Sequence, residues 1–167
     1  LKIFQKEGIP VLGIDPSSGP VSKALQAGVP TLNDFLTEEL ALSLRNEEGI
    51  QADLFLANNV LAHVPDITDF VRAIEALLKP GGVAVFETPY LLDLIDNSEF
   101  DTVYHQHVFY YSVHALVSLF KTTGLYINAI EALESRLEDE GIGGKLDATG
   151  GDCMGDIERV PISSIVG

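Results

Sequence analysis

Four short apolar runs, each closed by polar residues and most of them followed by a helix-forming stretch, constrain this chain more than any other feature. Ile9-Pro10-Val11-Leu12-Gly13-Ile14 ends in Asp15-Pro16, and Val29 to Leu32 ends in Asn33-Asp34. Ala52-Asp53-Leu54-Phe55-Leu56-Ala57-Asn58 and Val83-Ala84-Val85-Phe86-Glu87-Thr88 complete the set. Runs that are apolar throughout, without alternation, suit strands covered on both faces. Strands alternating with helices then predict an α/β parallel sheet with helices on both faces.

The intervening segments agree. Residues 1–8 read as the end of a helix closed by Gly8, and residues 19–27 as a helix closed by Gly28. Thr37-Glu38-Glu39-Leu40 opens another, with Thr37 as cap and acids in the first turn. Ile67, Phe70, Val71, Ile74 and Leu77-Leu78 recur at helical spacing, which predicts a helix over 66–78. Lys79-Pro80-Gly81-Gly82 is a turn. Residues 113–123 read as a helix closed by Gly124, and 125–130 as a last strand. From about residue 132 the period is lost, acids outnumber bases and glycines cluster between Gly141 and Gly151. Residues 132–167 are therefore expected as a poorly ordered acidic, glycine-rich tail after one domain over 1–131.

The formal charge of −15 on 167 residues repels phosphate backbones and anionic lipid, which argues against nucleic-acid and membrane partners. No run approaches the roughly 18 apolar residues of a membrane span. The single cysteine, Cys153, forms no intrachain disulfide and suits a reducing cytoplasm.

The chemistry-bearing residues follow the strands. Asp15, at the end of its strand, is placed either to accept hydrogen bonds from ribose hydroxyls or as an exposed turn acid. Asp34 and Phe35 suit an adenine amino group and ring, or an ordinary helix entry. Asn58 and Asn59 lie at the end of the next strand, followed by His63, an imidazole facing a ligand or a structural one. Farther on, Tyr104-His105-Gln106-His107 packs a phenol, two imidazoles and an amide together, with Tyr110-Tyr111 just beyond. Such a cluster moves protons near neutral pH. His105 and His107 lack an acid–histidine complement at metal-binding spacing, so no metal site is expected.

Taken together, Ile-Asp at a strand end, Asn-Asp-Phe after the next, Asn58-Asn59-Val60-Leu61-Ala62-His63-Val64-Pro65-Asp66, and Leu78-Lys79-Pro80-Gly81-Gly82 before an apolar strand ending Glu-Thr-Pro resemble the class I S-adenosylmethionine-dependent methyltransferases. Phe100-Asp101-Thr102-Val103-Tyr104-His105-Gln106-His107, followed by Tyr110-Tyr111-Ser112, is similar to the nucleotide-sugar C-methyltransferases, which methylate carbon 3 of a dTDP-4-keto-deoxysugar. That family usually shows Tyr-His-Glu-His here, so Gln106 stands where a glutamate is common.

The resemblance implies that S-adenosylmethionine is the cofactor, with Asp15 on its ribose, Asp34 and Phe35 on its adenine, and Asn58 and Asn59 beside it. His107 is implied as the base, with Tyr104 and His63 at the developing enolate oxygen and His105 and Gln106 on the substrate side. It also implies that a first strand and its Gly-rich turn, which sit between the strands at 9–14 and 53–58, are missing, leaving a partial Rossmann-like sheet with two unpaired edges. Methylation of another small molecule and a non-catalytic truncated α/β module are the rival expectations. A dehydrogenase is disfavoured, since no Gly-x-Gly-x-x-Gly is present.

Overall fold

A computed structural model describes residues 1–131; the expected tail at 132–167 lies outside the described residues. The order is α1 (Lys2–Lys6), β1 (Gly13–Ile14), α2 (Ser18–Gln26), β2 (Thr31–Leu32), α3 (Glu38–Glu47), β3 (Ala52–Asn58), a 3-10 turn (Leu61–His63), α4 (Ile67–Leu77), β4 (Leu78–Glu87), α5 (Leu91–Asp96), a second 3-10 turn (Phe100–Thr102) and α6 (Val113–Phe120). This is the expected α/β alternation, with all paired strands parallel.

The strands form two separate pairs, β1–β2 and β3–β4, and no ladder joins β1 to β3 among the described residues. The first pair is short because Pro10 and Pro30 carry no N–H for a ladder. Its register, Gly13 to Thr31 and Ile14 to Leu32, begins just after Pro30 and three residues beyond Pro10. A Cβ on Gly13 would lie 2.8 Å from the Thr31 hydroxyl oxygen, so the close approach needs glycine.

In the second pair the expected turn is present, but folded into the strand. Ala52 pairs with Leu78 and Leu54 with Val83, so Lys79 to Gly82 bulge out of β4. Gly81 takes φ +80°, and a Cβ on Gly82 would sit 2.9 Å from the Ala52 carbonyl oxygen. Beyond the bulge the ladder is regular as far as Asn58 opposite Glu87.

Helix starts follow the caps. The Thr37 hydroxyl accepts from the Leu40 N–H, the Asp66 carboxylate from the Asp69 N–H and the Ser112 hydroxyl from the Ala115 N–H. The core is organised around α4. Phe70 and Ile74 join Ala57, Leu61, Leu78 and Tyr111 in one cluster, with Phe86, Leu116 and Leu119 packed on it. Ala73 and Leu77 join Ala41 and Leu44 of α3, against Leu12, Ile14 and Leu32. Each fully buried large side chain contributes roughly 1.5–3 kcal/mol, so α4 ties the two strand pairs into one body.

The run 125–130 forms no strand, contrary to expectation. Leu125 packs on the first cluster, but Tyr126 and Ile130 stay exposed and no ladder partner is present among the described residues. Leu125, Ile127 and Ala129 are half-buried in alternation, but a strand without a paired neighbour is not held.

Candidate functional site

The N-terminus of α3 follows β2, and the N-terminus of α4 lies one short turn after β3. These two helix starts meet, with the Glu38 N–H donating to Asp69 Oδ1 at 3.2 Å and Arg72 facing Glu38 at 3.8 Å. Asn33 Nδ2 donates to the Asp15 carbonyl at 3.1 Å, which ties the end of β2 to the end of β1. Asp15, Asp34, Phe35 and Asn59 therefore lie just past strand ends, with Asn58 the last residue of β3 and His63 in the 3-10 turn that follows.

One Asp15 oxygen accepts the Ser17 N–H at 2.7 Å, which fixes the carboxylate. Asp34 accepts from the Phe35 N–H at 2.8 Å, and the Phe35 ring is 58% exposed, an apolar face without cover at a loop where polar side chains are the rule. Asn58 donates to Glu87 at 2.6 Å and Asn59 to the other Glu87 oxygen at 3.3 Å. Asn59 takes φ +52°, and its N–H donates to the Glu87 carbonyl at 2.8 Å. Asn58 Oδ1 is buried without a partner, an acceptor held ready for a donor. Glu87 is the residue that sequence reasoning missed, although the acid closes an apolar strand in the same manner as Asp15.

The aromatic segment divides at a turn. The His107 N–H donates to the Tyr104 carbonyl at 2.9 Å, which puts Tyr104 and His107 at its ends and His105 and Gln106 at its corners. The end residues meet, with Tyr104 Oη 2.9 Å from His107 Nε2. The corner side chains are exposed, and the structure brings neither His105 nor the Gln106 amide into the cluster. The Gln106 backbone carbonyl is used instead, 2.9 Å from His63 Nδ1. The His63 and His107 rings lie 4.8 Å apart. Val108 anchors the segment under the end of β3, its N–H donating to the Ala62 carbonyl at 2.8 Å.

These contacts fix the tautomers. His107 Nδ1 lies 2.8 Å from the Thr102 carbonyl, which only accepts, so Nδ1 carries the proton. In the neutral ring Nε2 then holds a lone pair toward the Tyr104 hydroxyl. His63 is locked in the same sense, and its Nε2 is the basic nitrogen. Tyr110 donates to the same Thr102 carbonyl at 3.1 Å, with its ring edge-on to His107. Tyr111 is buried, donates to the Leu61 carbonyl at 3.2 Å, and burial pushes its phenol up to about 12.

A parallel α/β body with acids, amides and a phenol–imidazole pair gathered at its strand ends is the Rossmann-like methyltransferase fold. A solved structure of an S-adenosylmethionine-dependent methyltransferase, a possible histamine N-methyltransferase from Thermotoga maritima, shares it. The TM-score is 0.51 at 18% identity over 71% of this chain and 56% of that one. The family model described as a methyltransferase domain matches residues 1–130, and the chain belongs to that family. The C-methyltransferase NovU of Streptomyces niveus is 35% identical over 127 residues, 76% of this chain and 30% of the relative. The ubiquinone biosynthesis O-methyltransferase of Pasteurella multocida is 34% identical over 93 residues, 50% of this chain and 38% of the relative. The chain thus spans about a third of the length of these relatives. The cofactor of the family is S-adenosylmethionine, and the site fits it. Asp15 has a carboxylate oxygen to spare for a ribose, Phe35 an open ring face for an adenine, and Asn58 an unpartnered acceptor.

Proposed function

We propose that the chain supplies the catalytic domain of an S-adenosylmethionine-dependent C-methyltransferase acting on a nucleotide-linked 4-keto-deoxysugar. The observation that carries this reading is the Tyr104–His107 pair, 2.9 Å apart, with His107 locked as a base by Thr102. Asp15, Asp34, Phe35, Asn58 and Asn59 hold the cofactor, which when bound supplies an electrophilic methyl group.

The carbon beside a ketone is a weak acid, and removing its proton needs a base and a donor for the oxygen that gains charge. His107 Nε2 takes the proton, the C–H pair moves into a new C=C bond, and the carbonyl π pair moves to oxygen. The Tyr104 hydroxyl turns from Nε2 to that oxygen, which leaves the imidazole lone pair free. His63 assists as a donor only in its imidazolium form, since its neutral Nδ1–H is committed to Gln106. Positioned base catalysis is typically worth about 10²–10⁴ in rate, and a fixed donor at a developing oxyanion about 10²–10³. The exposed His105 and Gln106 side chains stand outside the pair, and the Gln106 backbone carbonyl holds His63. We take the cytoplasm as the compartment of this proposed reaction, a reading that the single cysteine favours.

The O-methyltransferase relatives support a second reading, methylation of an acceptor hydroxyl. The longer match to the C-methyltransferase favours the first. Incubation with methyl-labelled cofactor and a dTDP-4-keto-deoxysugar tests the proposal. Label on carbon supports it, label on oxygen supports the second reading, and saturable S-adenosylhomocysteine binding without any transfer overturns both.

A further inference from the structure

A cavity of about 220 Å³ opens between α5, the second 3-10 turn and Tyr110. Leu91, Leu94, Ile95, Phe100 and Val103 line it, and Glu99 is its only charged wall. Phe100 is 77% exposed and Ile95 60%, yet both belong to one concave surface rather than to scattered sites. Tyr110 is shared with the proton site: its ring lines the cavity, while its hydroxyl binds the Thr102 carbonyl that orients His107. The His107 and Tyr110 rings lie 6.1 Å apart, so the Tyr110 ring is the shared wall between the cavity and the imidazole.

Size and charge select the occupant. Drug-sized ligands take pockets of roughly 300–1,000 Å³, whereas a cavity of about 150 Å³ holds a benzene ring. The space here matches one ring with a small substituent and not a whole nucleotide sugar. Glu99, together with Asp93, Asp96 and Asp101 on the same elements, repels phosphate. Building on the methyl-transfer reading, we infer that this cavity is the acceptor subsite for an uncharged, largely apolar ring. In a nucleotide-linked deoxysugar that is the deoxygenated, methyl-bearing edge of the sugar, and the diphosphate leads away from α5.

Cyclohexanone titrated into the methyl-labelled full chain, followed by NMR, tests the inference. Saturable shifts confined to Leu91, Leu94, Ile95 and Val103 are expected, weakened about tenfold in Ile95→Asn through the lost apolar contact. Ile95 is mostly exposed, so this variant folds as the parent does. Phenol in a parallel titration distinguishes a saturated from an aromatic ring, and tighter phenol binding overturns the deoxysugar assignment. Inorganic phosphate is expected to leave these methyls unmoved, and shifts there overturn the charge argument. If S-adenosylhomocysteine binds but cyclohexanone does not, the subsite is refuted and the methyl-transfer reading stands. If cyclohexanone binds as expected and S-adenosylhomocysteine does not, the methyl-transfer reading falls by itself.

Discussion

Alkaline pH should weaken the fold through one phenol, Tyr111. Its side chain is 6% exposed, in the cluster with Ala57, Leu61 and Ile74, and burial raises its pKa from 10.0 to about 12. The native state therefore holds the phenolic proton more tightly than the unfolded chain does. This favours folding fully below pH 10, and the contribution is lost as pH climbs through about 12. Each pKa unit is worth about 1.4 kcal/mol, so the loss is between about 1 and 2 kcal/mol near pH 11 and approaches about 3 kcal/mol above pH 12. Tyr111→Phe removes this dependence. At neutral pH it costs about 1 kcal/mol, because the Leu61 carbonyl loses its donor. Urea unfolding followed by far-ultraviolet circular dichroism, at neutral pH and near pH 11, measures both effects in a chain that has no tryptophan. The parent should lose more stability between the two conditions than the variant, by the amount above. Equal losses would refute the buried-phenol argument, since the other tyrosines are common to both proteins.

Other expectations rest on single contacts. Gly82→Ala should destabilise by about 1–3 kcal/mol, because its Cβ would meet the Ala52 carbonyl at 2.9 Å and the bulge must shift; unchanged urea unfolding would show that the bulge yields freely. Glu87→Ala should cost about 1–3 kcal/mol by leaving the Asn58 amide without an acceptor, with partial recovery in Glu87→Gln, as read by the same unfolding curves. Asp15→Ala should weaken S-adenosylhomocysteine binding by about tenfold to a hundredfold in calorimetry, the worth of a charged hydrogen bond, while the freed Ser17 N–H costs about 1 kcal/mol in the unfolding curve.

Much of the fold was legible because its determinants are local. Thr37 and Asp66 start helices with their own side chains, and the spacing of Phe70, Val71, Ile74 and Leu77 already marks the face that α4 buries. The strand ends at Asp15 and Asn58 were legible for the same reason. Features that depend on pairing were not. Glu87 meets Asn58 and Asn59 only because the register places residues 29 apart opposite each other, after a four-residue bulge that no propensity reveals. Tyr104 to His107 read as one block of chemistry, and the hydrogen bond from His107 to Tyr104 split it into two ends that meet and two exposed corners. What the run 125–130 lacks is a partner strand among the described residues, not β propensity. The cavity at α5 was likewise hidden, since Leu91, Leu94 and Ile95 look like ordinary core residues until Tyr110 and Phe100 close around them.

Hydrogen exchange into the acceptor, without methyl transfer, most directly examines whether the imidazole of His107 is the base. With S-adenosylhomocysteine in place of the methyl donor and heavy water as solvent, the parent chain should wash deuterium into the carbon beside the ketone of a dTDP-4-keto-deoxysugar. His107→Asn should slow that exchange by about 10²–10⁴ while S-adenosylhomocysteine still binds. Exchange at the parent rate in His107→Asn would contradict the account.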